Sequence, residues 1–309
     1  MPVTHATTST ADIVRQGRIT EALEILEAHP DPDVEELALL LECRMARGEM
    51  ELAVRVSERL AAAPHRTGDD ERRVAMAMGE LWAATGRDDD AVASFLLVGK
   101  QSVDDEDPVS LPWRASASVS LIRLGRRQEA EELAEEHLEV ARADGSAYAV
   151  AGAIRTAAAV CVAADRREQL REALVLAAGH DRLVAQVATD LAGLLALTPG
   201  PASREEAVRL LRGAEDYADA EDLWPLHTRV RRLLERLGET ALVPRSEAVA
   251  RLSDAELRVA RLAARGQTNR TIAEQLGVTV KAVEWHLSHA YRKLHVGGRT
   301  ELPRVLRLS

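Results

Sequence analysis

Apolar residues recur three and four positions apart through segments such as "EELALLLECRMARG" and "EAEELAEEHLEVARADG", the spacing that lines one face of an α-helix. Turn-forming residues interrupt this pattern at positions 29–33, 64–70, 104–112 and 198–203. No stretch alternates with the period of two that a strand requires, so the pattern predicts an all-α chain with mostly short loops.

A second spacing runs inside the first. Gly17, Gly48, Gly86 and Gly125 are each followed five residues later by Ala22, Ala53, Ala91 and Ala130, and successive glycines lie 31, 38 and 39 residues apart. A glycine suits the left-handed cap that ends one helix, and a small residue five positions on lets the next helix pack closely. The unit resembles a degenerate tetratricopeptide repeat, in which the second helix carries Ala, three residues, then a large apolar residue. Ala22 with Leu26 and Ala91 with Phe95 fit; Ser57 and Ala134 at the equivalent places do not, and the period exceeds the usual value of about 34. An irregular helical domain is the alternative. The pattern continues through Asp165 and Leu170, where "DRREQL" occupies the expected turn without its glycine. Ser203 and Glu206 form a candidate capping box that would start a helix there, and Gly238 would end the last one.

Composition supports the helical reading. Ala and Leu dominate the 309 residues and aromatics are 3%, a mix that favours closely packed helices over sheets. The only cysteines, Cys43 and Cys161, lie far apart in apolar helical context, which predicts two buried, reduced thiols rather than a metal or redox pair. The start lacks the features of a signal peptide and no apolar run could span a bilayer, so a cytoplasmic location is expected.

Charge is unevenly placed. The chain carries a net −10, yet residues 251–309 hold eleven Arg and Lys against five Asp and Glu. A basic end on an acidic body points to a polyanionic partner for that end.

Three capped helices open this end, after a linker at 239–250 that contains Pro244. Ser253 and Glu256 form a capping box ahead of "LRVARLAARG"; Thr268 or Asn269 caps "RTIAEQLG", which Gly277 ends; Thr279 caps a third helix reaching about Leu294. Two helices joined by the tight "LGVT" turn have the geometry of a DNA-binding helix-turn-helix. On the third helix Val283, Leu287, Ala290 and Leu294 fall on one stripe, while Lys281, Trp285, Ser288 and Arg292 fall on the far side. A large aromatic pushed outward among cations needs a partner: a DNA groove is the preferred one, and cover by the helical body or a dimer mate is the other.

The stretch "LSDAELRVARLAARGQTNRTIAEQLGVTVKAVEWHLSHAYRKLHVGGRTEL" resembles the LuxR-type helix-turn-helix domain, in its "G-x-(S/T)-N-x-x-I-A-x-x-L" helix, its "V-x-x-H" recognition helix and its "K-L-x-V-x-x-R-x-E" close. The resemblance implies that Glu284, Trp285 and Ser288 face base edges, with Thr268, Asn269, Thr279, Lys281, His286, Arg292 and Lys293 near phosphates. Helix N-termini, hydroxyls and cations are suited to phosphate, and a Glu in the major groove can accept from cytosine N4. The sequence departs from the pattern at Ala282, where many relatives have Thr, and at Thr271, where a Glu would complete a capping box. Pro303 falls in the final helix, the counterpart of which often makes the dimer contact; a proline past the first turn loses a hydrogen bond, which argues against dimerisation there.

An acidic helical body with this tail is similar to the C-terminal part of the large ATP-binding regulators of the LuxR family. The chain has no "G-x-x-x-x-G-K-(S/T)" motif; "VGKQS" offers only a Gly-Lys pair. The organisation expected is thus a tetratricopeptide-like superhelix over residues 1–238, the linker, and a four-helix LuxR-type domain over 251–309. The function expected is a DNA-binding transcription regulator that acts with double-stranded DNA and RNA polymerase, with a small-molecule or protein effector on the concave face of the body. Two copies on DNA would want half-sites one helical turn apart. No catalytic residue, cofactor or metal is expected: there is no nucleophile elbow or dinucleotide glycine set, and His286 and His289 lack a carboxylate or Cys companion for a metal. The rival reading is a helical interaction scaffold with a tail that has lost its grip on DNA.

Overall fold

The computed structural model describes residues 8–63, 67–101, 107–162, 165–239, 252–294 and 296–306. The chain divides into two compact units, Met1–Leu237 and Gly238–Ser309. Among the described residues there is no strand. The expected linker, Pro244 included, lies outside the described residues from position 240 onward.

The first unit is a tetratricopeptide-like run of helix pairs. α1 (Thr10–Gln16) pairs with α2 (Ile19–Ala28), α3 (Val34–Ala46) with α4 (Met50–Ala62), and α5 (Gly68–Ala84) with α6 (Asp88–Gln101). They are followed by α7 (Trp113–Arg123) with α8 (Arg127–Asp144), α9 (Ala147–Val160) with α10 (Arg166–Leu176), and α11 (Asp181–Leu195) with α12 (Pro201–Ala220); α13 (Trp224–Arg236) closes the series.

One turn joins the first four pairs. Gly17 and Gly125 have φ of +89° and +77°, a region in which a Cβ is strained, and Gly48 and Gly86 match them. The residue after each glycine donates its N–H to a carbonyl five positions back: Arg18 to Ile13, Glu49 to Arg44, Arg87 to Trp82 and Arg126 to Leu121, at 2.8–3.1 Å. Its own carbonyl then accepts from the alanine four positions on, so Ala22, Ala53, Ala91 and Ala130 sit in the first turn of the second helix. All four alanines are fully buried, because the returning helix leaves no room for a larger side chain. Asp165, with φ −96°, instead starts α10 without a left-handed turn, its carbonyl accepting from Gln169 N–H at 3.0 Å, and Leu170 is buried.

Odd-numbered helices form the inner layer. α1 touches α3, α3 touches α5, and the contacts continue through α7, α9, α11 and α13. The series then closes on itself, since α13 reaches α3 and α1 reaches α11. The closure is polar as well as apolar. Tyr217 Oη donates to the Gly17 carbonyl at 2.7 Å, Thr20 N–H donates to Glu221 at 2.7 Å, and Arg182 donates to Glu42 at 2.5 Å. Ala218 and Leu223 from the end of the unit share one core with Ile13, Leu23, Leu41 and Leu60 from its start.

Two expectations change. α12 begins at Pro201, not at a Ser203 cap: a proline in the first position needs no N–H partner and has φ already set for a helix, and Glu206 instead holds Arg171 at 2.8 Å. Cys43 is fully buried and its thiol is pushed up to about 12 by burial, but Cys161 terminates α9 and is only half-buried, because the chain leaves the helix there. The Gly99-Lys100 pair lies inside α6, and Gly99 is small because a Cβ would meet the Trp113 ring at 2.5 Å.

The closure makes a measurable distinction between two glycines in the same turn. A Cβ at Gly125 meets nothing within 4 Å, whereas at Gly17 it would lie 2.6 Å from the Arg182 backbone nitrogen and 2.7 Å from Tyr217 Oη. Gly125→Ala should therefore cost only the left-handed strain, about 1–2 kcal/mol. Gly17→Ala should cost about 1–3 kcal/mol more, from overpacking against the far end of the unit. Urea unfolding of the two variants measures the difference, and equal losses would mean that the ends of the unit are not held together.

Candidate nucleic-acid interface

Local signals build the second unit as they do the first. α14 (Asp254–Ala264) starts with a complete capping box: Glu256 N–H donates to Ser253 Oγ at 3.3 Å, and Ser253 N–H donates to the Glu256 carboxylate at 2.7 Å. Thr268 caps α15 (Asn269–Leu276), its hydroxyl accepting from Thr271 N–H at 3.2 Å. The Thr271 hydroxyl also bonds that of Thr268 at 2.8 Å, so the position retains part of the capping contact without a Glu. Gly277, with φ +66°, ends α15, and Val278 N–H reaches back to Ala273. Thr279 accepts from Ala282 N–H at 3.1 Å and starts α16 (Val280–Leu294).

Burial fixes the rotation of α16. Val283, Leu287, Ala290 and Leu294 are each 5% exposed or less and face a core that includes Leu257, Ala260, Ile272 and Leu276. Their side chains can leave water only with the opposite face in it. Lys281, Glu284, Ser288 and Arg292 are exposed on that face, and Trp285 is 55% exposed.

Trp285 is nonetheless held. Its ring lies 4.0 Å, centroid to centroid, from that of His289 and meets His286 edge-on at 5.0 Å. His289 Nδ1 is 2.8 Å from the Trp285 carbonyl oxygen, which keeps the imidazole over the indole. Desolvation, followed by the positive charge of Arg258, holds the His286 imidazole below its usual range against the opposing pull of Glu256. Its Nδ1 is buried without a hydrogen-bond partner among the described residues. His286 is thus suited to offering a neutral N–H rather than a cation.

Two expected phosphate ligands are engaged inside the unit. Lys293 turns inward and donates to the nearly buried Glu256 carboxylate at 2.5 Å, because that carboxylate has lost its water and needs a counter-charge. Asn269 accepts from Arg299 at 2.5 Å through its side-chain oxygen. Arg299, to which sequence reasoning gave no role although it stands in the "V-x-x-R-x-E" close, joins Asn269, Glu284, Ser288 and Tyr291 around a shallow cleft beside α16. Thr268, Thr279 and Lys281 lie exposed at the ends of α15 and α16, where helix N-termini favour anions.

After a 3-10 turn at Arg299–Glu301 comes the short α17 (Leu302–Leu306), packed on α14 through the buried Leu302. Pro303 is its second residue. It therefore costs no helical hydrogen bond, contrary to expectation, since the N–H groups of a first turn have no partner within the helix in any case.

The Glu256–Lys293 pair links α14 to α16. Desolvation pushes the Glu256 carboxyl up, but Lys293 and Ser253 outweigh it and leave the group below its ordinary value. The folded unit thus binds fewer protons at this site than the unfolded chain does. Its contribution is present above the ordinary carboxylate range and lost as pH falls through the lowered folded value. Glu256→Gln should cost about 1–3 kcal/mol at pH 7 and flatten the acid limb, read from amide signals of α14 and α16 in urea titrations. The same acid limb in wild type and variant would sink the assignment.

Comparison with known proteins agrees with this geometry. A family model described as bacterial regulatory proteins, luxR family, matches residues 250–306. No curated protein matches the chain at a significant level. Among solved structures the chain is similar to BtubC (BKLC) from P. vanneervenii, at 16% identity and a TM-score of 0.41, over 75% of this chain and 94% of that one. The C-terminal end of the chain is a helix-turn-helix domain of the LuxR family, carried on an all-helical body.

Proposed function

We propose that the chain is a sequence-specific transcription regulator that reads DNA with α16 in the major groove. The observation that carries this is the solvent face of α16, where Trp285 stands exposed among Lys281, Ser288 and Arg292 while the opposite face is fully buried. An indole held between two imidazoles and surrounded by hydroxyl and cationic groups suits a groove wall of base edges and phosphates. Glu284, Trp285 and Ser288 take the base edges. Thr268, Thr279, Lys281 and Arg292 take phosphates, with His286 as a neutral donor and Asn269 and Arg299 acting as a pair. Lys293 serves the domain rather than the duplex.

The body serves as the sensing unit of this regulator, acting in the cytoplasm with RNA polymerase as the downstream partner, and no catalytic step is assigned to it. Two copies on DNA would place half-sites about one helical turn apart.

Selection of genomic fragments by the full-length chain supplies the operator. Fluorescence anisotropy should then give affinity that falls steeply with salt, and Lys281→Ala should flatten the log–log slope by about one unit. Trp285→Ala or Glu284→Ala should cost roughly 1–3 kcal/mol of discrimination between operator and random duplex. A chain that binds both duplexes alike, with no salt dependence, would leave the helical body as an interaction scaffold and remove this function.

A further inference from the structure

The inner layer of the body encloses a cavity of about 560 Å³, a volume within the range of small-ligand sites. It is lined by odd-numbered helices and the loop before α7. Its walls differ in chemistry. α3 and α5 contribute apolar side chains such as Leu39, Met45 and Met76 together with every acid of the described lining, whereas α9, α11 and α13 contribute Arg155, Arg182, Gln186 and Arg229 and no acid.

The charges of the polar wall do not balance. Arg182 is matched one to one by Glu42 at 2.5 Å. Arg155 and Arg229, however, share a single carboxylate: Asp190 lies 2.7 Å from Arg155 Nε and 2.5 Å from an Arg229 Nη. Two guanidiniums on one carboxylate leave one positive charge over. On the other side of the cavity Arg15 is held by Asp12 at 2.6 Å and Arg73 by Glu35 at 3.6 Å, which leaves one further carboxylate among the described lining residues. The remaining acid of the lining is Glu80, which accepts a hydrogen bond from Ser116 and is pushed by burial toward its neutral form.

We infer that this cavity binds a small organic acid, its anionic head against Arg155 and Arg229 and its apolar body along α3 and α5. The inference rests on the reading of the body as a sensing unit and gives that reading a ligand class. Guanidiniums donate paired hydrogen bonds to a carboxylate or sulfonate, and among possible occupants an anion is the one that pairs the excess charge. A neutral molecule of equal size would leave it unpaired, and a cation would add to it.

The test is made on the full-length chain without DNA, so its failure is separate from failure of the DNA-binding reading. The fluorescent probe 8-anilinonaphthalene-1-sulfonate should bind with a stoichiometry of one. Octanoate should displace it, with 1-octanol and octylammonium weaker by about tenfold or more. Hydrogen exchange with saturating octanoate should show protection in α9, α11 and α13. Arg229 is half-exposed at the cavity rim, so Arg229→Gln should keep the wild-type melting temperature while lowering octanoate affinity by about tenfold. Displacement by octanol as effective as by octanoate would overturn the proposal. So would wild-type affinity in Arg229→Gln, or protection confined to the second unit.

Discussion

The hydrogen bond from the residue after a left-handed glycine to a carbonyl five positions back recurs in both units, and the rest of the architecture depends on it. In the body it runs from Arg18 to Ile13 and from Arg126 to Leu121; in the tail it runs from Gln267 to Leu262 and from Val278 to Ala273. Each instance ends one helix and sets the direction of the next. Repeated along the body, it stacks pairs so that alternate helices form an inner layer. Used once between α15 and α16, it presents a recognition helix. A repeat and a helix-turn-helix are in this sense the same local construction with different numbers of copies.

Much of this was legible because it is local. Glycine followed at five residues by alanine is readable without knowing what packs on what, and so are the caps at Ser253, Thr268 and Thr279. The outward setting of Trp285 followed from the helical period once Val283, Leu287 and Ala290 were assigned to a core. What could not be read depends on groups far apart in sequence. Closure of the body rests on contacts such as Tyr217 with Gly17 and Arg182 with Glu42, spanning 200 and 140 residues. Nothing in the spacing marks those residues as partners.

Lys293 illustrates the same limit within sixty residues. Its position at the end of a basic helix and the family resemblance both suggest phosphate. The deciding fact is the burial of Glu256, which comes from the capping box that ties the same carboxylate to Ser253. The carboxylate that caps α14 is also buried by its packing, and Lys293 supplies its counter-charge. Pro201 in place of Ser203 as the start of α12 has a similar logic, since fixed backbone geometry overrides a side-chain cap two residues away.

The two ends of the chain thus meet their surroundings by different means. The tail displays charge on a surface, with Lys281 and Arg292 in water on the outer face of α16, the setting in which a cation can exchange counterions for phosphate. The body gathers charge instead, with Arg155 and Arg229 sharing Asp190 beside the cavity of its inner layer. A closed inner layer also couples entry to the fold: helices α1, α3, α11 and α13 all line the cavity and also carry the contacts that close the unit. An occupant that bridges the α3 and α11–α13 walls would add to the same closure that Tyr217 and Arg182 now supply, so binding energy and closure energy are linked by necessity.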